Sequence, residues 1–536
     1  LPNVSPIHRW TAVLAVVVVW GVLRTWFYIG YYMEDAPGFA ADAALWAAGE
    51  WQPRENLPGL RIGTYLPAGV AIWLVGKTEF ALSAWSLLSS LVGLLSLVGI
   101  SRLLLVRGWW LLGALLWIAY PGDIIFSTVL MPDAIQTGWL VAAVYLMMHA
   151  SANPGRRALV LFASGMTLGV CYLVRENAIL LLPVLLVGVG ALPWTPPDSA
   201  ARRRWAAGTV LAGFLAVIVV EGAFYGYQLG APLHRFAVSQ SYYGGQDAIM
   251  RHGLTAYAWT IPEAMLPPVS WLRGSAGTFS LNPGQAYHAY LFVLAMALWL
   301  VACARWMPTP PDDRRRLIFL SAWLWLPVLY HQFGSQSLTS FVPMHRLPRQ
   351  LMLYGPAAAV MIAWGASRTA LAMAGLARPI RMAAAALLVA GLSMHAAGVN
   401  EGLRIQLGIV SETTSIQDRV VSTLAGYSGR VFMDSADAGA LHYFLNPLGG
   451  GRRVDVHDLM ATPSCEALAG ALVVLHSNRT WSFDPPPTLL AKALERLPCL
   501  RAPPPEWRPI SVAPWLPERI YLVPERSSPA AGSSFR

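Results

Sequence analysis

The chain has 536 residues, of which 56% are hydrophobic and only 12% charged, and its mean hydropathy is +0.49. An average globular chain carries about 25% charged residues, so this composition excludes a soluble enzyme. It also excludes disorder, which needs low hydrophobicity and high charge. The formal charge is +10, with Lys77 and Lys492 the only lysines among 38 basic residues. A basic chain can imply a nucleic-acid partner, but in so apolar a chain the arginines are tested first against membrane topology.

About 20 apolar residues cross the hydrocarbon of a bilayer. Eleven stretches qualify as candidate spans: 10–32, 79–101, 108–125, 132–150, 157–174, 177–195, 205–228, 286–304, 317–333, 348–366 and 382–398. The first lacks a small-residue cleavage site and is expected to be a true span rather than a leader. With the N-terminus inside, the inner loops hold fifteen arginines (among them Arg102, Arg156, Arg157, Arg202 and Arg316) against three acids, Asp198, Asp312 and Asp313. That is +12 inside and −2 for the rest of the +10 chain. The basic excess therefore follows the positive-inside rule, and a nucleic-acid partner is not expected.

Three long segments fall on the outer side: 33–78, 229–285 and everything after about 399. In the first, Phe39, Ala43, Trp46 and Ala47 recur at helical spacing and predict an amphipathic helix lying at the interface, with Asp42 on its solvated face. The apolar run from Tyr65 to Val75 is too short to span and is placed at the surface. The second segment carries His234, Arg235, Tyr242, Tyr243, Asp247, Arg251, His252, Trp259 and Trp271. These suit sugar faces and lipid headgroups, and equally an interfacial aromatic belt. Beyond 399, strand-like runs at Arg430–Met433, Arg453–Val456, Leu472–Leu475 and Ile520–Val523 alternate with helical candidates at Ala436–Phe444, Glu466–Ala471 and Pro487–Leu497. This alternation predicts a small α/β domain. The expected organisation is thus a polytopic α-helical membrane domain (1–398), an extracytoplasmic α/β domain (399–525) and a disordered tail (526–536). Cys171 and Cys303 read as packing residues of the spans. Cys465 and Cys499 share the outer domain, where a disulfide between them is permitted. No spacing of Cys and His suits a metal.

The first outer segment opens with Glu34 and Asp35. A carboxylate at the bilayer surface is suited to general-base work, because partial burial and neighbouring arginines set its pKa. Asp35 also precedes Pro37 as a helix N-cap would. Asp133 can likewise cap the span it opens. Arg24 lies inside the first span and needs a partner or a ligand, since a lone arginine at mid-membrane is costly. Arg175 stands beside Glu176, and an internal pair between those two is its simpler role.

Asp35, Phe39, Ala43, Trp46 and Gly49 resemble the D-x3-aromatic-x3-A-x2-L-x2-G opening of the GT-C class of polyprenyl-phosphate-dependent glycosyltransferases, with Trp46 in the Leu position. These are the bacterial relatives of protein O-mannosyltransferases and the lipid A aminoarabinose transferases. Arg61-Ile-Gly-Thr-Tyr65-Leu-Pro67 is similar to the family's R-x-P-x-Y-P segment, with its proline shifted. Tyr120-Pro121 and Met131-Pro132-Asp133 resemble its second outer loop, and Gly169, Leu173 and Arg175, followed by Glu176, the passage after it. Pro343 to Gln350, including His345, Arg346 and Arg349, resembles the late basic motif. The match is good over about 10–195 and thinner around 340–366. The resemblance implies transfer of a sugar, with inversion, from a polyprenyl-phosphate carrier to an acceptor hydroxyl at the outer face of a bacterial inner membrane. It implies Asp35 as general base. Asp133 and Glu34 are candidates for the acceptor or a divalent ion; no metal is required by the residues themselves. Arg349, Arg346, Arg175 and His345 are candidates for the carrier phosphate, because arginine binds phosphate with a planar, permanently charged fork. Arg61, Tyr65, Glu176, Tyr242 and Tyr243 are substrate-binding candidates. The acceptor, whether glycan, lipid or protein, is left open, and membrane lipids are the expected surroundings. The rival readings are a GT-C-like polymerase or ligase of surface polysaccharide, and a transporter, against which the chain shows no internal repeat.

Overall fold

The computed structural model describes residues 6–31, 36–53, 58–105, 108–192, 199–244, 311–333, 352–373, 427–433, 454–459, 461–476, 494–512 and 518–525, with isolated positions at 295–300, 378–424 and 443. The chain is mostly helical and ends in a small sheet. It divides into two units: one made of 1–30, 52–67 and 83–408, the other of 31–51, 68–82 and 409–536.

In chain order the helices are α1 (Pro6–Trp26), α2 (Ala36–Ala47), α3 (Ile62–Val75), α4 (Glu79–Leu104), α5 (Trp110–Ile118), α6 (Pro121–Phe126), α7 (Pro132–Ala152), α8 (Arg157–Val174), α9 (Leu182–Ala191), α10 (Ala200–Leu229), α11 (His234–Gly244), α12 (Pro311–Phe333) and α13 (Gly355–Met373). Among the described residues, α4, α8 and α10 are long and apolar enough to cross a membrane. Two expected spans are broken. The stretch 108–125 is α5 and α6, parted where Tyr120 turns extended before Pro121, because a residue preceding proline is driven out of the helical region. The stretch 177–195 is a 3-10 turn, Glu176–Leu181, followed by α9 with a proline in its first turn. The stretches 286–304 and 382–398 lie outside the described residues, apart from isolated positions.

The larger unit is held by close helix packing. A Cβ placed on Gly165 of α8 would lie 2.0 Å from the Val210 carbonyl of α10, and one on Gly213 of α10 would lie 2.1 Å from the Phe162 carbonyl of α8. Gly93 and Gly138 likewise bring α4 and α7 backbone to backbone. Small residues are what allow apolar helices to meet this closely where no hydrophobic drive separates helix from lipid. α7 and α10 both pack along α8, α12 packs on α9, and α13 on α5.

In the smaller unit the Phe39–Ala43 stripe of α2 is buried, and a Cβ on Gly69 of α3 would meet the Trp46 ring at 2.8 Å. The α2 stripe thus packs on α3 rather than facing an interface. Asp42, expected on a solvated face, is 1% exposed. The sheet has the order β2-β1-β3-β5-β4, from β1 (Arg430–Met433), β2 (Asp455–Asp458), β3 (Leu472–His476), β4 (Arg508–Val512) and β5 (Glu518–Leu522). β1 pairs in parallel with β2 and β3, while β5 runs antiparallel to β3 and β4. Alternation along β3 sends Leu472 and Val474 to one core and Val473 and Leu475 to the other, so both faces are covered. β4 was not expected. It carries Pro509, which is tolerated because β4 is an edge strand. The expected helix Glu466–Ala471 is a 3-10 turn, Cys465–Leu468. Cys465 and Cys499 form a disulfide with Cα atoms 6.1 Å apart. The expected helix Ala436–Phe444, apart from Tyr443, and the first part of Pro487–Leu497 lie outside the described residues.

Candidate functional site

Helix boundaries create the site. Met131 is extended, Pro132 starts α7, and Asp133 falls in its first turn, where the helix dipole favours an acid. α8 ends at Arg175, whose backbone is extended, and the chain turns at once into the Glu176–Leu181 segment. Neighbouring side chains on extended backbone point to opposite sides. Arg175 therefore does not pair with Glu176 as its sequence position suggested. It donates through Nη1 to Asp133 Oδ1 at 2.6 Å. Glu176 instead faces Arg61, with Nη2 to Oε1 at 3.4 Å. Gln136 of α7 closes this corner, donating to Asn177 Oδ1 at 2.7 Å.

A third pair lies alongside. Arg235, near the start of α11, donates through Nε to Glu221 of α10 at 2.7 Å and also bonds the Leu60 carbonyl. Its guanidinium lies 4.8 Å from the Tyr172 ring centroid. Burial alone would raise the Glu176 carboxyl. Arg61 first, then Arg175, and at longer range Arg235, outweigh that and hold it down at about 2. Glu176 is therefore an anion ringed by three arginines at neutral pH. Three guanidiniums and three carboxylates, Asp133, Glu176 and Glu221, share this region, so its own charges cancel.

Cancellation does not satisfy every group. Tyr225 Oη, His234 Nε2, Arg235 Nη1 and Ser239 Oγ are buried and have no hydrogen-bond partner among the described residues. Buried polar atoms nearly always have partners, so this corner retains bonding capacity for a polar molecule. Tyr65, by contrast, is fully buried and donates to the Gly59 carbonyl at 2.8 Å.

Of the residues singled out from sequence, the structure brings together Arg61, Asp133, Arg175 and Glu176, with Tyr65 one helical turn past Arg61. Glu34, Asp35, His345, Arg346 and Arg349 lie outside the described residues. Tyr242 and Tyr243 are in α11, and only their backbone is described. Sequence reasoning passed over Glu221 and did not single out Arg235 from its loop. The available signal was an acid inside a 30-residue apolar helix, which is costly unless partnered. Arg24 is also explained: it pairs with buried Asp123 and donates to the Ile118 carbonyl at 2.9 Å. Among the described residues no three His, Cys, Asp or Glu side chains gather as a metal site. Asp133, the described metal candidate, is bonded to the Arg175 guanidinium.

No family model matches the chain, and no curated protein matches it. Solved structures do. The chain is similar to apo ArnT from Cupriavidus metallidurans at 16% identity and a TM-score of 0.55, covering 96% of this chain and 98% of that one. It is similar to the same protein bound to undecaprenyl phosphate at 16% identity and a TM-score of 0.56, covering 95% and 97%. The GT-C resemblance read from the motifs is therefore met at the level of fold: along nearly its whole length, this chain has the fold of ArnT.

Proposed function

We propose that this protein is a membrane glycosyltransferase that takes a sugar from a polyprenyl-phosphate carrier and passes it to an acceptor hydroxyl, with inversion, at the outer face of a bacterial inner membrane. The observation that carries this reading is the end-to-end fold likeness to ArnT, one structure of which holds undecaprenyl phosphate, joined to the GT-C motifs of the sequence. The arginine-rich, incompletely bonded corner between α8, α10 and α11 adds chemical support.

In this mechanism Asp35 takes the proton of the acceptor hydroxyl as its oxygen attacks the anomeric carbon. The bond from that carbon to the carrier oxygen breaks, and the electron pair leaves on the lipid phosphate. That phosphate gains negative charge, and preorganised cationic donors stabilise it as it forms. Arg61, Arg175 and Arg235 are already matched by carboxylates, so the surplus positive charge comes from Arg346 and Arg349, while Arg175, oriented by Asp133, and Arg235 Nη1 supply further preorganised donors. Glu34, His345, Tyr242 and Tyr243 keep their proposed places around the substrates, while Tyr65, fully buried and bonded to the Gly59 carbonyl, braces the segment that carries Arg61. The eleven-span topology, with residues 1–398 as the membrane domain and 399–525 outside, belongs to the same proposal. The role of Asp133 is to fix Arg175, and no step is routed through a metal.

Asp35→Asn should lower sugar transfer by about 10²–10⁴-fold, the usual weight of a general base, while carrier binding persists. Full transfer activity in that variant would overturn the mechanism. Arg349→Ala should weaken binding of the carrier most among the arginine variants. Mass spectrometry of lipid co-purified with the protein identifies the carrier directly.

A further inference from the structure

We propose that Tyr443 is a positioning residue for Asp35, so that the C-terminal part of the chain takes part in sugar transfer by fixing the segment that carries the general base. The inference rests on the general-base reading given above. Tyr443 touches both ends of the first outer segment. Its ring stacks on Tyr31, with centroids 6.0 Å apart and planes 16° from parallel. Its hydroxyl donates to the Thr78 carbonyl at 3.1 Å, and Lys77 Nζ lies 4.9 Å from the centroid of the same ring. Tyr31 is 2% and Tyr443 1% exposed, so the stack is sealed from water.

Each contact is of a kind that holds. Stacked rings attract beyond the area they bury, and a buried phenol hydroxyl takes a partner. A lysine beside the ring adds a cation–π attraction. Lys77, one of only two lysines in the chain, stands in the turn between α3 and α4. That turn is itself braced: Gly76 has a φ of +83°, and the Thr78 N–H donates to the Gly76 carbonyl at 3.0 Å. Thr78 Oγ1 accepts the Ala81 N–H at 3.1 Å, capping the start of α4. Tyr443 therefore grips a fixed turn at one end of the segment and a buried ring at the other.

Asp35 stands in the sequence between Tyr31 and Ala36, both of which are buried. Ala36 opens α2, α2 packs on α3 where the Trp46 ring meets Gly69, and α3 runs into the Lys77 turn. The two flanks of Asp35 thus converge on one ring, Tyr31 directly and α2 by way of α3. All of these residues belong to the smaller unit. Packing alone would be met by any apolar side chain against Tyr31. It does not require the same ring to bond the far end of the segment. A general base works only within hydrogen-bond reach of the proton it takes, and a misplacement of about 1 Å can cost roughly 10²-fold. A clamp on both flanks therefore acts on turnover.

The test uses the full-length protein, with sugar transfer and binding of undecaprenyl phosphate measured separately. Tyr443→Leu should lower kcat by about 10- to 100-fold and leave the affinity for undecaprenyl phosphate unchanged. Tyr443→Phe, which keeps the stack, should recover most of the lost activity. Unchanged kcat, or a matching loss of carrier affinity, overturns the positioning role. In Asp35→Asn, adding Tyr443→Leu should cost nothing further, because groups that act through one step are not additive. Additive losses overturn the link to Asp35 and leave the general base in place. Full transfer by Asp35→Asn alone overturns the general-base reading, and with it the residue that Tyr443 positions, so the two failures are told apart. Hydrogen exchange gives a readout without turnover: peptides covering 31–36 and 76–79 should exchange faster in Tyr443→Leu, and unchanged exchange overturns the clamp. If Tyr443→Leu does not elute as a single folded species, Lys77→Gln loosens the same ring from a half-buried position. It should lower kcat by about two- to fivefold, the weight of a cation–π contact, and unchanged kcat and exchange there overturn the proposal.

Discussion

Arg24–Asp123 and Arg175–Asp133 are both buried guanidinium–carboxylate pairs, but they are built differently. Arg24 and Asp123 are 2% and 1% exposed. Asp123 also accepts the Ser90 hydroxyl at 2.7 Å, Arg24 also donates to the Ile118 carbonyl, and the Trp20 ring lies 5.5 Å from the guanidinium. Both members are locked between helices. Arg175 stands in an extended break between helices, is 11% exposed, and adjoins Glu176, which is 19% exposed. The lesson concerns where charges can act: a pair sealed within packed helices fixes the fold, whereas pairs at a helix break remain within reach of a ligand.

The largest expected effect falls on the sealed pair. Arg24→Met takes the guanidinium away from buried Asp123 and leaves its carboxyl only the Ser90 hydroxyl, at a cost of about 3–5 kcal/mol, read as loss of thermal stability in detergent. Adding Asp123→Leu should recover most of that loss. An unchanged melting temperature in the single variant would remove the distinction between the two pairs. Next comes Arg175→Gln, which should lower sugar transfer by about 10²-fold, the weight of a preorganised donor, with a smaller stability change than Arg24→Met. If the two variants rank the other way, the helix-break pair is the structural one.

The smallest effect is on acid stability. Glu176 is held at about 2 in the folded protein, below the roughly 4.3 of an unfolded glutamate. A depressed carboxylate contributes stability that is fully present above the unfolded value and is lost as pH falls through the folded one. Between about pH 4 and pH 2, wild type should therefore lose more stability than Glu176→Gln, whose profile should be flatter there. Identical acid limbs would mean that the three arginines do not act on Glu176.

Much of the architecture was legible before any coordinates. Apolar stretches marked α1, α4, α7, α8, α10 and α12 to within several residues, and three of the five strands overlap their expected runs closely. Breaks inside apolar stretches were harder, because periodicity does not distinguish one span from two short helices. Only Pro121 and Pro183 marked them. Asp42 was misplaced because helical spacing shows which residues share a face but not what covers that face.

The sequence alone determined that the chain is built for a membrane, that many of its arginines gather between apolar stretches, and that a small set of acids and arginines stands where helices end. Composition and spacing carry those facts because they are local. Tertiary structure decided which charge meets which. The partners Arg175 and Asp133 are 42 residues apart, Arg24 and Asp123 are 99 apart, and Arg61 and Glu176 are 115 apart. No local rule links such positions. The cost of burying an unpaired charge requires that each find a partner, and helix packing determines which one is within reach.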